Sequence, residues 1–108
     1  MPSTQKQRAR WAKMFGWICM PNSQGDIRWS GDGYSDQTEP PDFAALDGPW
    51  FGPAVKELLD NAYEPILTDA GTYAFIATSG AYQVVEDADL GVCTMLALEA
   101  KRAAEEQK

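Results

Sequence analysis

Between Glu64 and Asp87 the chain alternates in side-chain character at every second residue and is punctuated by turn formers, and nowhere else do the two signals coincide. That pairing constrains the fold more than any other feature. Three short strands are expected, at residues 64–68, 72–78 and 81–86, separated by Asp69-Ala70-Gly71 and by Ser79-Gly80, all residues that accept tight turns. Connections this short make an antiparallel meander the simplest topology. Tyr73, Phe75 and Ala77 fall on one face of the second strand and Ala74, Ile76 and Thr78 on the other; Tyr82 and Val84 oppose Gln83 and Val85 on the third. Neither face is polar throughout. A small sheet with apolar residues on both sides requires helical cover, and helical candidates lie on each flank.

Upstream, Thr4 and Gln7 have capping-box spacing, and Trp11, Met14, Phe15 and Ile18 recur at helical intervals. A first helix is expected over 5–15, with Lys6, Arg10 and Lys13 on the side opposite its apolar stripe, ended by Gly16 and continued by an extended segment over 17–20. A second is expected over 53–63, with Pro53 at its first position and Val55, Leu58, Leu59 and Ala62 on one face; Pro65 stops it by disfavouring helical geometry at Glu64. Lys56 and Asp60 sit four apart on its outer side. The third, over 89–105, is capped by Asp87 or Asp89 and carries Lys101 and Arg102 near its end, as the helix dipole favours. Val92, Cys93, Leu96, Ala97, Ala100, Ala103 and Ala104 share its core face. Met95 and Leu98 fall among charged residues and are candidates for a dimer or partner interface. The expected class is α+β, a single domain over 1–108: basic amphipathic helix and extension (1–20), acidic aromatic loop (21–52), helix (53–63), meander (64–87) and carboxy-terminal helix (89–105).

The acidic loop is dense in proline and glycine, yet it also holds Trp29, Tyr34, Phe43, Leu46, Trp50 and Phe51. Those aromatics should anchor it over the sheet, with one helical turn at 42–46, and its length makes it the first place to seek a binding surface. Asp32, Asp36 and Glu39 lack EF-hand spacing and suit a solvated loop better than a cation site.

Several chemistries are hard to build from this composition. There is no histidine, and Cys19 and Cys93 stand at no metal-ligand spacing, which argues against zinc sites and histidine-dependent triads. Both cysteines lie in apolar surroundings and are expected as buried free thiols. No nucleophile–base constellation and no phosphate-binding glycine loop can be assembled, so no catalytic residue, metal or cofactor is assigned and a non-enzymatic protein is expected. The apolar run 14–20 is short and is followed by Pro21-Asn22-Ser23 rather than a small-residue cleavage pattern, so no secretory leader is expected. With no stretch of membrane-spanning length, a cytoplasmic location is the expectation.

Charge is segregated along the chain. Residues 1–25 carry Lys6, Arg8, Arg10 and Lys13 and no acid, whereas residues 26–99 carry 14 acids against Arg28 and Lys56, for a net charge of −7 over the whole. An acidic body repels nucleic acid and is drawn to basic protein surfaces. Aromatics supply affinity at such an interface and carboxylates supply steering, which makes Asp26, Trp29, Asp32, Tyr34, Asp36, Asp42, Asp47 and Trp50 the candidate partner-binding residues. The alternative is a nucleic-acid accessory protein that uses Lys6, Arg8, Arg10 and Lys13.

The order of parts carries a resemblance. A basic first helix closing on Met14-Phe15-Gly16, an aromatic and proline-rich crossing, a second helix, a meander and a final helix Asp89-Leu90-Gly91-Val92-Cys93-Thr94-Met95-Leu96-Ala97-Leu98-Glu99-Ala100 together resemble the bacteriophage ABA-sandwich family and the related Nin-region proteins of lambdoid phages. The resemblance implies a phage or prophage accessory protein, acting in the cytoplasm of an infected or lysogenic bacterium, with helices on either side of a small sheet. It transfers no catalytic residue. In size and acidity the chain is also similar to anti-CRISPR proteins, which implies an inhibitor that covers a basic surface of a host defence complex.

Overall fold

Thr4 opens the first helix as its spacing with Gln7 predicts: the Thr4 hydroxyl accepts the Gln7 N–H at 3.1 Å and the Gln7 amide oxygen accepts the Thr4 N–H at 2.9 Å. The structure, a computed structural model, describes residues 4–31, 33–78, 80 and 82–106. Asp32 of the candidate partner set, and Ser79 and Ala81 of the expected turn and third strand, lie outside the described residues. The chain divides into two compact units, an amino-terminal one over Thr4–Asp42 and a carboxy-terminal one from Phe43 onward.

In the amino-terminal unit, α1 (Gln5–Met14) gives way through Gly16, at φ 84°, to β1 (Ile18–Pro21), β2 (Ile27–Gly31) and β3 (Tyr34–Gln37), paired antiparallel in the order β1-β2-β3. The turn between β1 and β2 is organised by Asn22, whose side-chain oxygen accepts the N–H groups of Gln24 and Asp26 at 2.9 and 3.0 Å. Trp17 packs flat against β2 at Gly31, where a Cβ would lie 2.4 Å from the Trp17 ring. It also stacks on Tyr34 at a centroid distance of 5.9 Å. Trp11, Trp17 and Trp29 are buried, and the buried Trp11 Nε1 has no hydrogen-bond partner among the described residues.

This unit corrects the expected 21–52 loop, which contains β2 and β3 and so contributes most of a second sheet. Its strands are four or five residues long and rich in polar and turn-forming side chains, so local propensity hides them. Pairing of β2 with β1 on one side and with β3 on the other completes the sheet. Residues 43–44 form a turn, and no helix forms over 42–46. Cys19, expected buried, is exposed on β1, while Cys93 is buried; both are free thiols.

The carboxy-terminal unit follows the expected outline. It runs through α2 (Phe51–Asp60), β4 (Tyr63–Leu67), β5 (Tyr73–Ala77), β6 (Tyr82–Asp87) and α3 (Leu90–Glu106), with the strands in meander order. Thr78 N–H bonds to Ala62 O and Thr68 N–H to Thr72 O, so alternate residues 62, 64, 66 and 68 face β5 with their backbone polar groups. Tyr63, Pro65 and Leu67 direct theirs off the edge. Pro65 therefore costs the ladder nothing. Helix α2 starts two residues earlier than expected, placing Pro53 in the first turn, where its missing N–H would lack a partner anyway. Ala62 lies beyond the helix in the left-handed region at φ 66° and is not part of a buried face. Leu59 is half exposed, so the α2 core contacts are Ala54 and Leu58.

Asp89 begins α3: its carboxylate accepts the Val92 N–H at 3.0 Å, and Asp87 in turn accepts the Asp89 N–H at 2.9 Å. Met95 and Leu98, expected on an exposed interface, are fully buried, whereas Ala103 and Ala104, expected in the core, are exposed. The reason is that α3 packs on α2, β5 and β6 at once, which buries an arc wider than a single stripe. Gly91 lets the backbone at Ala44 come close to the start of α3, since a Cβ there would lie 1.7 Å from the Ala44 carbonyl oxygen. Among the described residues no helix is long and apolar enough to cross a membrane.

Candidate functional site

The structure offers two candidate surfaces, one on each unit. On the amino-terminal unit the outward face of the sheet holds a hollow of about 300 Å³ lined by Ile18, Met20, Pro21, Asn22, Arg28, Ser30 and Asp36. Register explains the lining, because Ile18 pairs with Ser30 and Met20 with Arg28, which puts these four side chains on one face. Arg28 sits among them and reaches Asp36 at 3.3 Å and Asp26 at 3.9 Å. Asp42 is 3.7 Å from Arg8.

These ion pairs change the meaning of the acidic residues singled out from sequence. Asp26 and Asp36 both approach Arg28, which offsets part of their charge. Trp29 is buried and belongs to the packing of the unit, and Tyr34 is exposed but stacked on Trp17. Asp47 and Trp50 belong to the other unit, where Asp47 is exposed and Trp50 meets the Phe43 ring edge-on at 4.8 Å. The described candidate residues are thus divided between the two units. Of the basic set, Lys6, Arg10 and Lys13 are exposed along α1, and Arg8 is half-buried beside Asp42.

On the carboxy-terminal unit, α2, the start of α3 and the edge strand β4 enclose an open groove of about 340 Å³. Phe51 and Val55 come from α2, Leu90 and Thr94 from α3, Tyr73 and Phe75 from β5, and Pro65, Ile66 and Leu67 from β4. Its lining is almost wholly apolar, and Leu67 is 69% exposed. Leu59, one turn beyond Val55, is also largely exposed. Contiguous exposure of large aliphatic residues at one place is unusual for a chain with no partner.

The sheet and α3 residues of this groove come from a stretch rich in acids, and the one cation beside its α2 residues, Lys56, is paired with Asp60 among the described residues. From Asn61 to Ala100 the sequence has no lysine or arginine, while it contains Glu64, Asp69, Glu86, Asp87, Asp89 and Glu99. Asp69 follows the groove residue Leu67 by two, Asp87 pairs with Tyr73 across the ladder, and Asp89 precedes Leu90. Glu86 accepts a hydrogen bond from the Thr72 hydroxyl, itself within 2.6 Å of the Thr68 hydroxyl. Burial, and next the Asp87 carboxylate, push the Cys93 thiol up to about 11, which keeps it protonated at neutral pH.

The cations of this unit are engaged with other carboxylates. Lys56 binds Asp60 at 2.8 Å, the expected i, i+4 pair. Glu57 on α2 takes Arg102 at 3.0 Å and the buried Lys101 at 3.1 Å, and Lys101 also meets Glu105 at 2.5 Å. The Arg102 hydrogen bond holds the Glu57 carboxyl below the usual range against the opposing effect of burial, with Lys101 adding to it. Burial pulls the Lys101 ammonium down, but Glu105 and Glu57 outweigh it and leave it raised. This cluster joins α2 to α3 and has a structural role.

The groove was missed by sequence reasoning because its residues come from four elements. Two signals pointed towards it: consecutive aliphatics Ile66 and Leu67 on a short strand, and the base-free interval 61–100. Among the described residues no three carboxylates or thiols converge as metal ligands. Compared with known proteins, the chain matches no family model, no curated protein and no solved structure.

Proposed function

We propose that this is a non-enzymatic interaction protein, of the kind found among small phage accessory products, that docks on a basic protein surface and blocks it; the nucleic-acid-binding groove of a host defence complex has the required chemistry. The observation that carries this reading is the exposed apolar groove of the carboxy-terminal unit, whose β4, β5 and α3 residues all come from a 40-residue stretch, 61–100, without a lysine or arginine. Apolar contact supplies affinity and the carboxylates select a cationic partner. The test is retention of bacterial proteins on the immobilised full chain at low and high ionic strength. The expected result is a retained set that is more basic than the lysate and is released by salt. Retention without basic bias, or indifferent to salt, sinks the reading. A second reading draws on Lys6, Arg10 and Lys13, exposed along α1, and predicts salt-dependent binding of duplex DNA that disappears when the three are replaced by glutamine.

A further inference from the structure

We infer that the groove of the carboxy-terminal unit receives the apolar face of a basic amphipathic helix belonging to a partner protein. This rests on the proposed function and specifies its site and the form of the partner.

Three observations select that occupant. The first is the backbone at the groove's edge. A partner strand adding to β4 would use the outward-facing groups of Tyr63, Pro65 and Leu67, and Pro65, at the middle of that row, has no N–H to give. Docking by strand addition is thereby disfavoured, and the groove offers side-chain contact instead.

The second is the lining. Val55 and Phe51 on α2 face Leu67 and Pro65 on β4 across an apolar hollow of about 340 Å³, with Leu90 at one end. Apolar side chains presented one helical turn apart fill such a hollow, as in other helix-in-groove recognition.

The third is charge. Asp69, Asp87 and Asp89 adjoin the Leu67–Leu90 end, and no lysine or arginine occurs between Asn61 and Ala100. Two copies docked groove to groove would bring like charges together, which opposes that form of self-association. A helix flanked by Lys and Arg meets opposite charges there.

The test uses three synthetic helical peptides and the full chain, with fluorescence anisotropy as the readout. One peptide has leucines at i, i+4 and i+7 with lysine and arginine flanks; the second has the same leucines with glutamate flanks; the third has the basic flanks with serine in place of leucine. The first should bind, and the other two should bind at least about 10-fold more weakly, equivalent to about 1.4 kcal/mol. Leu67→Ser should weaken the first peptide by a similar factor while leaving the circular dichroism spectrum and urea midpoint unchanged, because that side chain is mostly exposed. If the first and third peptides bind alike and Leu67→Ser has no effect, the groove inference is overturned while docking on basic surfaces survives. If neither basic peptide binds and the lysate retention also shows no basic bias, both fall. A dimer in sedimentation that Leu67→Ser dissolves would assign the groove to a second copy and overturn the inference.

Discussion

The two units each hold a three-stranded antiparallel sheet in sequential order, yet they are maintained by different means. In the carboxy-terminal sheet the central strand β5 is buried at Ala74, Phe75 and Ala77, and α2 and α3 pack against the strands. In the amino-terminal sheet β1 and β3 are exposed along their whole length, and order comes from Trp17, Trp29 and Tyr34 together with Arg28 and its two aspartates. The same topology is thus stabilised by burial in one case and by a few large contacts in the other. Burial is the stronger source and is spread over many residues, so the carboxy-terminal sheet should tolerate surface change that the amino-terminal one does not.

The largest effect that separates the two should come from the centre of the buried sheet. Phe75 is 1% exposed at the middle of β5, and Phe75→Ala is expected to cost about 3–5 kcal/mol by loss of transfer energy and formation of a cavity. Urea denaturation followed by far-UV circular dichroism measures it. A loss below about 1 kcal/mol would mean that the sheet is not held by its core, and the contrast would collapse.

That contrast also explains what was legible in the sequence. Where burial acts, it imposes alternation, and β4, β5, β6 and their order could be read from Tyr73, Phe75 and Ala77 against Ala74 and Ile76. Capping could be read too, because Thr4 with Gln7 and Asp89 with Val92 are local arrangements. The amino-terminal strands were hard to read: Ile27-Arg28-Trp29-Ser30 does alternate, but over only four residues set among turn formers, while Tyr34-Ser35-Asp36-Gln37 does not alternate, and Asp36 takes φ 56° at an irregular ladder. On α3, a single-stripe rule placed Met95 and Leu98 outside because the sequence does not say how many neighbours a helix will have. Of the partner-binding set, the charge of the aspartates was legible but their pairing with Arg28 and Arg8 was not, being a matter of register and tertiary approach.

The next effect addresses the amino-terminal unit. Gly31→Ala would put a Cβ 2.4 Å from the Trp17 ring, and the ring must leave its stack on Tyr34 to make room. The expected cost is about 1–3 kcal/mol, as for other overpacked sites. Amide hydrogen exchange should show it as lost protection in β1, β2 and β3, accompanied by a change in tryptophan fluorescence. Unchanged protection there would show that Trp17 is not a main support of this sheet.

A smaller effect tests the electrostatic part of the buried unit. Glu57 has a lowered pKa when folded, so it contributes stability that is fully present above its unfolded value of about 4.3 and is lost as pH falls through the depressed folded value. Lys101 has a raised pKa, so its contribution is fully present below its unfolded value of about 10.4 and is lost as pH rises through the folded one. Glu57→Gln should therefore destabilise by about 1 kcal/mol at pH 7, a figure already discounted for the partial exposure of Glu57. The gap from wild type should close on acidification below the unfolded value. A gap that persists at low pH would assign the loss to packing of α2 on α3 instead of to charge.

The smallest effect on stability bears most directly on which surface binds. Arg28 meets Asp36 and Asp26 at 3.3 and 3.9 Å, and both carboxylates are well exposed, so Arg28→Ala should move the urea midpoint by less than about 1 kcal/mol. The substitution also removes the cation that lines the hollow with Ile18, Met20 and Ser30 and leaves its two aspartates without that arginine. If that face were the docking site for a basic partner, affinity for the basic amphipathic peptide should rise. Docking in the groove of the carboxy-terminal unit predicts affinity within about twofold of wild type, because Arg28 is not among the residues that line it and a single charge outside the lining is screened at physiological salt. Anisotropy titration of the same peptide decides between them, and a rise of tenfold or more would move the site to the amino-terminal sheet.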